Sequence, residues 1–244
     1  MMFSHGFGCD QAMWRLVAPA FEDMFKVVTF DHVGSGGSDL LAYDPGRYSS
    51  LSAYADDIVE IGHELLFRDA VFVGHSVAAM MGVLASIRAP DLFGKLVLVG
   101  PSPRYINDGE YRGGFDGAEI EELLDVLADN HMGWSATMAP VIMGNPDRPE
   151  LAAELTESFC RTDPAIARSF ARTTFTADNR GDLALVRIPT LILQCSDDVI
   201  APSQVGDYVH AHIAGSRLVH LRATGHCPNL SSPQETIDAI RAFV

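Results

Sequence analysis

The sequence predicts an α/β protein with a mostly parallel sheet, helices on both faces of that sheet and a helical insert. In residues 1–103 and 181–244, short apolar runs such as AVFVGH and PTLILQC alternate with segments whose apolar residues recur at helical spacing. This alternation is typical of parallel strands joined by helical crossovers. Residues 104–180, called the insert below, contain no strand-like run and predict helices only.

The first part of the chain begins with a short strand, MMFS, which runs directly into the loop HGFGCD. We therefore expect further strands of the sheet to precede residue 1, since a domain rarely opens on so short and unprotected a strand. A helical pattern in QAMWRLVAPAF and a buried strand in FKVVTFD follow. The Gly/Ser-rich loop HVGSGGSD then lacks the lysine and the spacing of a phosphate-binding P-loop, so we interpret it as a plain loop.

The remaining elements follow the same alternation. Residues 51–67 predict a helix, AVFVGH a strand, SVAAMMGVLASIRAP a helix and KLVLVGPSP a strand. The insert predicts helices in AEIEELLDVLADNHMGW, PELAAELTESFC and DPAIARSFARTTF, with breaks at GNPDRP and TDP. The strands PTLILQC and SRLVHLR and a helix in SPQETIDAIRAF complete the chain.

Composition excludes several classes of partner. Apolar residues make up 48% of the chain, and Lys+Arg number 17 against 32 Asp+Glu, for a formal net charge of −15. Nucleic acid and anionic membrane are therefore poor partners, because their phosphates repel such a surface. No apolar run reaches the length of a membrane span.

The cysteines and histidines give no sign of a metal or a cofactor. The four cysteines form no CxxC pair, and no group of histidines has the spacing of metal ligands. We expect free thiols in a reducing cytoplasm and no bound cofactor.

One serine stands out in the stretch VFVGHSVAAMMG. A strand, then Gly-His-Ser-Val-Ala, then a helix is the context of a nucleophile elbow, in which a sharp turn exposes the Ser76 hydroxyl above the sheet. Small neighbours are needed where strand and helix crowd together, and Gly74 and Ala78 supply them. From this stretch alone, a serine that merely caps the helix is the alternative.

A reactive serine needs a base, and the base needs a carboxylate that orients it. LILQCSDDVIAP places two aspartates after a strand, and we predict Asp198 as the orienting group and Asp197 as its solvated neighbour. LRATGHCPNL places His226 after the last strand, so the chain order is Ser, Asp, His. The loop HGFG lets the Phe7 N–H, together with the Val77 N–H, stabilise an oxyanion.

Together these stretches resemble the α/β-hydrolase superfamily and, within it, the RsbQ group of bacterial stress-response hydrolases. Plant strigolactone and karrikin receptors belong to the same wider set. The resemblance is carried by SHGFGCDQAMW, FDHVGSGGSD, GHSVAAMMGVLASIRAPDLF, LVLVGPSPRYIND, FCRTDPAIARSFARTTF, LILQCSDDVIAP and GHCPNLSSP, and it extends over nearly the whole chain.

The resemblance implies a core of residues 1–103 and 181–244 beneath a V-shaped lid of four helices made by residues 104–180. It assigns Ser76 as nucleophile, His226 as base and Asp198 as the residue that orients it, with oxyanion donors at Phe7 and Val77. It also implies a pocket lined by Phe7, His75, Trp134 and Phe175.

The activity that the resemblance implies is slow hydrolysis of a small, mostly apolar ester or lactone. A partner phosphatase with a PAS domain is implied as well, so the alternative to an enzyme is a ligand-sensing module. One departure concerns the motif HCPH, which in this chain is HCPN with Asn229 in the last position.

Overall fold

A computed structural model describes residues 1–244 of the chain. Its six strands are β1 (Met2–Ser4), β2 (Val28–Thr29), β3 (Ala70–His75), β4 (Phe93–Val99), β5 (Thr190–Asp197) and β6 (Arg217–Thr224). Its α-helices are α1 (Leu51–Glu64), α2 (Val77–Arg88), α3 (Gly117–Asp129), α4 (His131–Met143), α5 (Pro149–Arg161), α6 (Pro164–Phe175), α7 (Ser203–His212), α8 (Pro228–Ser231) and α9 (Pro233–Arg241). None of these helices combines the length and the apolar character needed to cross a membrane.

The strands form one sheet in the order β2-β1-β3-β4-β5-β6, and every neighbouring pair is parallel. The prediction of an α/β fold with a parallel sheet is confirmed. Because the strands all point the same way, their carboxyl ends meet at one edge of the sheet. The loops after β1, β3, β4, β5 and β6 therefore lie close together, and this edge carries the site described below.

Two apolar clusters cover the two faces of the sheet. Successive residues of a strand point to opposite faces, so along β3 Val71 and Val73 join one cluster and Phe72 joins the other. The Phe72 face is covered by α1, α2 and α7, and the opposite face by α9 and by residues of the insert. Near-continuous apolar strands, such as Leu96–Val99 in β4, follow from burial on both faces.

Four helices, α3 to α6, lie between β4 and β5. The prediction of a single helix over AEIEELLDVLADNHMGW is wrong, because that stretch divides at Asn130. Asn130 has φ −148°, which ends α3, and its side chain accepts a hydrogen bond from the Gly133 N–H at the start of α4. An asparagine in this conformation caps a new helix more favourably than it continues the old one.

Two predicted elements near the start of the chain are shorter than expected. The predicted strand FKVVTFD is reduced to Val28–Thr29, because its only partner in the sheet is the three-residue strand β1. QAMWRLVAPAF contains two short 3₁₀ helices, Gln11–Trp14 and Ala18–Phe21, instead of one α-helix. Pro19 accounts for the break, because its ring clashes with the preceding helical turn and its nitrogen has no hydrogen to donate.

Candidate active site

The turn between β3 and α2 holds Ser76 in a strained conformation. Ser76 has φ +57° and ψ −126°, a region that residues with side chains rarely adopt. Its N–H is fixed by a 2.8 Å hydrogen bond to the Val99 carbonyl at the end of β4. Gly74 is needed for close packing, because a Cβ there would lie 2.6 Å from the Ala78 carbonyl oxygen. The serine is therefore presented by the backbone geometry of an elbow, and its side chain makes no cap for α2.

The structure brings Ser76, His226 and Asp198 into one hydrogen-bonded chain. The Ser76 hydroxyl lies 2.7 Å from His226 Nε2, and His226 Nδ1 lies 2.7 Å from Asp198 Oδ2. The Nδ1–H donates to the carboxylate, which leaves Nε2 free to accept the serine proton. All three residues are at most 6% exposed, so the chain is shielded from bulk water.

Asp198 is held as a carboxylate. Burial alone would raise its pKa, but His226 beside it and the Ile200 and Ala201 N–H groups, which donate to Oδ1 at 2.9 and 3.0 Å, outweigh burial and lower the pKa. Asp197, the last residue of β5, is exposed and takes no part in this network.

The loop that carries His226 is bound to the corner between α4 and α5. The His226 N–H donates to the Ile142 carbonyl at 2.8 Å, and the Asn145 amide donates to the Thr224 carbonyl at 3.1 Å. The backbones of the two segments are in close contact here: a Cβ on Gly225 would lie 1.9 Å from the Met143 carbonyl oxygen, so only glycine fits. The insert therefore helps to hold the loop that carries the His226 imidazole.

The two predicted oxyanion donors belong to segments that adjoin the serine. The Phe7 N–H has no acceptor within the protein, and Val77 is the first residue of α2, so its N–H has no partner within that helix. The loop of Phe7 lies against the elbow, because a Cβ on Gly6 would come within 3.1 Å of Ser76 Cβ. When Ser76 Oγ bonds to a carbonyl carbon, the oxygen of that carbonyl becomes anionic. Two free N–H groups next to the serine would stabilise this oxygen by donating hydrogen bonds to it.

A small cavity opens at Ser76. Its volume is about 30 Å³, and most of the residues that line it are apolar. Its lining consists of Phe7, Cys9, His75, Ser76, Tyr105, Ile142, Leu155, Phe159, Thr174, Phe175, Ile200, His226 and Cys227. Ligand pockets usually enclose some hundreds of Å³. A compound of more than a few atoms therefore enters only if the side chains above Ser76 move.

The structure brings three of the four predicted pocket residues to this cavity. Phe7, His75 and Phe175 line it, and the Phe7 ring lies within about 6 Å of the Phe175 ring. Trp134 does not line it. Its ring packs behind Phe7, with centroids 6.1 Å apart, and borders a separate groove between α3 and α4.

Several lining residues were not predicted from the sequence. The Tyr105 hydroxyl lies 3.5 Å from Ser76 Oγ, and burial raises the pKa of this tyrosine, so it stays a neutral donor. Its place after the end of β4, in LVGPSPRY, was the signal that could have identified it. Cys9 also lines the cavity, and burial raises its pKa to about 12, so its thiol stays protonated.

Asn229, the departure from the HCPH motif, lies away from the cavity. It is fully buried in α8, and its amide donates to the Met13 carbonyl at 2.8 Å. The residue therefore fastens α8 to the segment that follows the Phe7 loop.

The chain is similar to known proteins over nearly its whole length. A model of the alpha/beta hydrolase family matches residues 1–239. Strigolactone esterase D14 of Arabidopsis thaliana is 39% identical over 99% of this chain and 90% of its own length. Karrikin insensitive 2 receptor CA of Petunia hybrida is 38% identical over 98% and 89%. Among solved structures, a hydrolase from Oleispira antarctica superimposes with a TM-score of 0.96 at 39% identity, over 99% of this chain and 89% of that one.

Proposed function

This chain belongs to the alpha/beta hydrolase family, and on that premise we propose that it is a serine hydrolase of small, mostly apolar esters or lactones. In this proposal Ser76, His226 and Asp198 form the catalytic triad, and residues 104–180 form a lid over a core of residues 1–103 and 181–244. The observation that carries it is the chain of two 2.7 Å hydrogen bonds from Asp198 through His226 to the Ser76 hydroxyl.

The first half of the reaction acylates the serine. Ser76 Oγ attacks the carbonyl carbon of the ester while His226 Nε2 removes the hydroxyl proton. The Phe7 and Val77 N–H groups donate to the oxyanion of the tetrahedral intermediate, and each is worth on the order of 3 kcal/mol. The C–O bond to the alcohol then breaks, and the imidazolium returns its proton to the leaving oxygen.

The second half restores the enzyme. His226 removes a proton from water, which attacks the acyl carbon, and the intermediate collapses to a carboxylic acid and free Ser76. A lactone gives a hydroxy acid by the same two steps, because its alcohol and acid are parts of one molecule. Asp198 stays ionised throughout and stabilises the imidazolium that forms twice in each cycle.

The substrate class follows from the cavity. Its walls are mostly apolar, and the few polar side chains that line it include no arginine and no lysine. An anionic substrate would meet no cationic side chain there, and it would also approach a protein of net charge −15. Small neutral acyl groups suit both features. The relatives include strigolactone esterases, which supports the same class of reaction.

Turnover of p-nitrophenyl acetate tests this function. We expect repeated turnover by the wild-type protein and a loss of at least about 10³-fold in kcat in Ser76→Ala, because the nucleophile is absent. A Ser76→Ala variant that hydrolyses the ester at the wild-type rate would show that the activity lies elsewhere.

A ligand-sensing module is the second candidate function. Two observations favour it: a relative named as a receptor is 38% identical, and the His226 N–H is bound to the Ile142 carbonyl of the insert, which ties the triad to the lid. In this version the protein is an RsbQ-like cytoplasmic regulator whose lid binds a PAS-domain phosphatase.

The two functions differ in the time course of p-nitrophenol release. A single burst that matches the protein concentration, followed by no further turnover, favours the sensor. A linear release over many equivalents favours the enzyme.

A further inference from the structure

Both backbone polar groups of His226 are held by residues far away in sequence. Its N–H donates to the Ile142 carbonyl at 2.8 Å, and its carbonyl accepts a 2.7 Å hydrogen bond from His75 Nε2. The first bond comes from the end of α4 and the second from the last residue of β3. One of these two bonds therefore comes from a side chain that adjoins the nucleophile itself.

The environment of His75 fixes its hydrogens. Only a protonated Nε2 can donate to a carbonyl, so in the neutral ring Nδ1 carries no hydrogen. Nδ1 is buried without a hydrogen-bond partner, and a Cβ on Gly6 would lie 2.9 Å from it. Burial, and next the neighbouring His226, lower the pKa of His75 to about 3, so the ring is neutral when His226 takes the proton of Ser76.

We propose that His75 is a positioning residue that holds His226 in line with Ser76 through the Nε2–H bond to the His226 carbonyl. The inference rests on the proposed serine hydrolase function. It gives His75 a task other than substrate contact, although the edge of the ring reaches the cavity.

Packing alone does not account for a histidine at this position. Its ring is 2% exposed, and its Nδ1 acceptor was removed from water without gaining a partner, which costs stability. A leucine would fill much of the same space without that cost. The one polar contact that the ring makes is the bond to His226, and the two rings also pack at 4.9 Å between centroids.

Three variants separate positioning from packing. The amide nitrogen of glutamine coincides with Nε2 of histidine, whereas that of asparagine coincides with Nδ1, and leucine has no donor. We would first measure the melting temperatures of His75→Gln, His75→Asn and His75→Leu to establish that each variant is folded. For each variant we would then measure the rate at which a fluorophosphonate probe labels Ser76, and kcat and KM for p-nitrophenyl acetate.

We expect His75→Asn and His75→Leu to lose about tenfold in both kcat and labelling rate with little change in KM, since loss of alignment weakens the attack and not the binding. His75→Gln should keep most of the wild-type kcat and labelling rate, because its amide can still donate to the His226 carbonyl. Equal rates for Gln and Asn among folded variants, or a wild-type rate in His75→Leu, would overturn the inference. If wild-type Ser76 itself is not labelled, the proposed hydrolase function fails instead.

Discussion

The two halves of the site are built in different ways. The sheet side supplies the polar groups: Ser76 after β3, Asp198 after β5 and His226 after β6. The insert side supplies most of the apolar wall, with Leu155 and Phe159 from α5 and further residues from α4 and α6, together with two polar side chains, Tyr105 and Thr174. The Ser76 N–H and the His226 backbone are held by hydrogen bonds to distant segments, and the Asp198 carboxylate is held by N–H groups of its own loop, whereas the wall is fixed by side-chain packing.

This difference has a functional consequence. Groups fixed by hydrogen bonds keep a reactive geometry, and they decide whether a bond is broken. Side chains fixed only by packing adjust more readily, and they decide which compound reaches the serine. Substitutions on the sheet side should therefore change kcat, and those on the insert side should change KM and selectivity.

Asp198→Asn is expected to give the largest effect. The amide cannot stabilise the imidazolium and favours the wrong tautomer of His226, so kcat falls by about 10⁴-fold. Asp197→Asn is the matched control, because the neighbouring carboxylate is exposed and outside the network. Steady-state kinetics of both variants check this, and equal losses in the two would contradict the assignment of Asp198.

Acid should destabilise the sheet side through its buried imidazoles. Burial lowers the pKa of His75 to about 3 and that of His32 well below its ordinary value, so the unfolded chain binds these protons between pH 7 and pH 5 and the folded chain does not. The free energy of unfolding therefore falls as the pH falls from 7 to 5, by roughly 2 kcal/mol from His75 and by a further amount from His32. Urea unfolding at pH 7 and pH 5 measures the change.

A pair of variants isolates one of these contributions. His32→Gln should reduce the pH dependence, whereas His220→Gln, at an exposed position, should leave it intact. Identical slopes in His32→Gln and the wild type would show that His32 is not a neutral buried base.

Asn145→Ala tests the place where the insert reaches the polar half. The variant loses the amide donors to Met143 and Thr224 beside the His226 N–H bond. We expect about a tenfold fall in kcat with little change in KM, and faster hydrogen exchange in the peptide that contains His226. Asn130→Ala, which removes a cap at the other end of α4, should cost about 1 kcal/mol of stability and leave kcat unchanged.

Phe159→Leu should give the smallest effect and the one most specific to the insert. The Phe159 ring packs 6.0 Å from Phe7 and 5.5 Å from Trp134, so a shorter side chain widens the cavity. KM for p-nitrophenyl butyrate should fall relative to that for the acetate by less than about tenfold, with kcat for the acetate unchanged. A fall in kcat for both esters would show that the wall also orients the reacting groups.

Local patterns in the sequence indicate where the polar residues of the sheet side lie. Ser76 lies between a strand and a helix with small neighbours, and Asp198 and His226 each follow a strand, so the parallel fold alone brings them to one edge. The position of Tyr105 gave the same kind of signal.

The residues of the apolar wall were harder to predict from the sequence. Phe159 and Leu155 have ordinary helical spacing, and nothing in α5 says which face meets Phe7. The division at Asn130 and the position of Trp134 behind Phe7 depend on how the helices of the insert pack. Side-chain packing between segments distant in sequence is a property of the whole fold, and one helix pattern does not contain it.

The most direct measurement is mass spectrometry of the intact and digested protein after reaction with a fluorophosphonate probe. We expect one adduct per chain, located on Ser76, and its loss in His226→Ala, because a serine without its base is not reactive enough to be phosphonylated. An unlabelled Ser76 in folded wild-type protein, or labelling that persists at the same rate without the imidazole, would contradict this expectation.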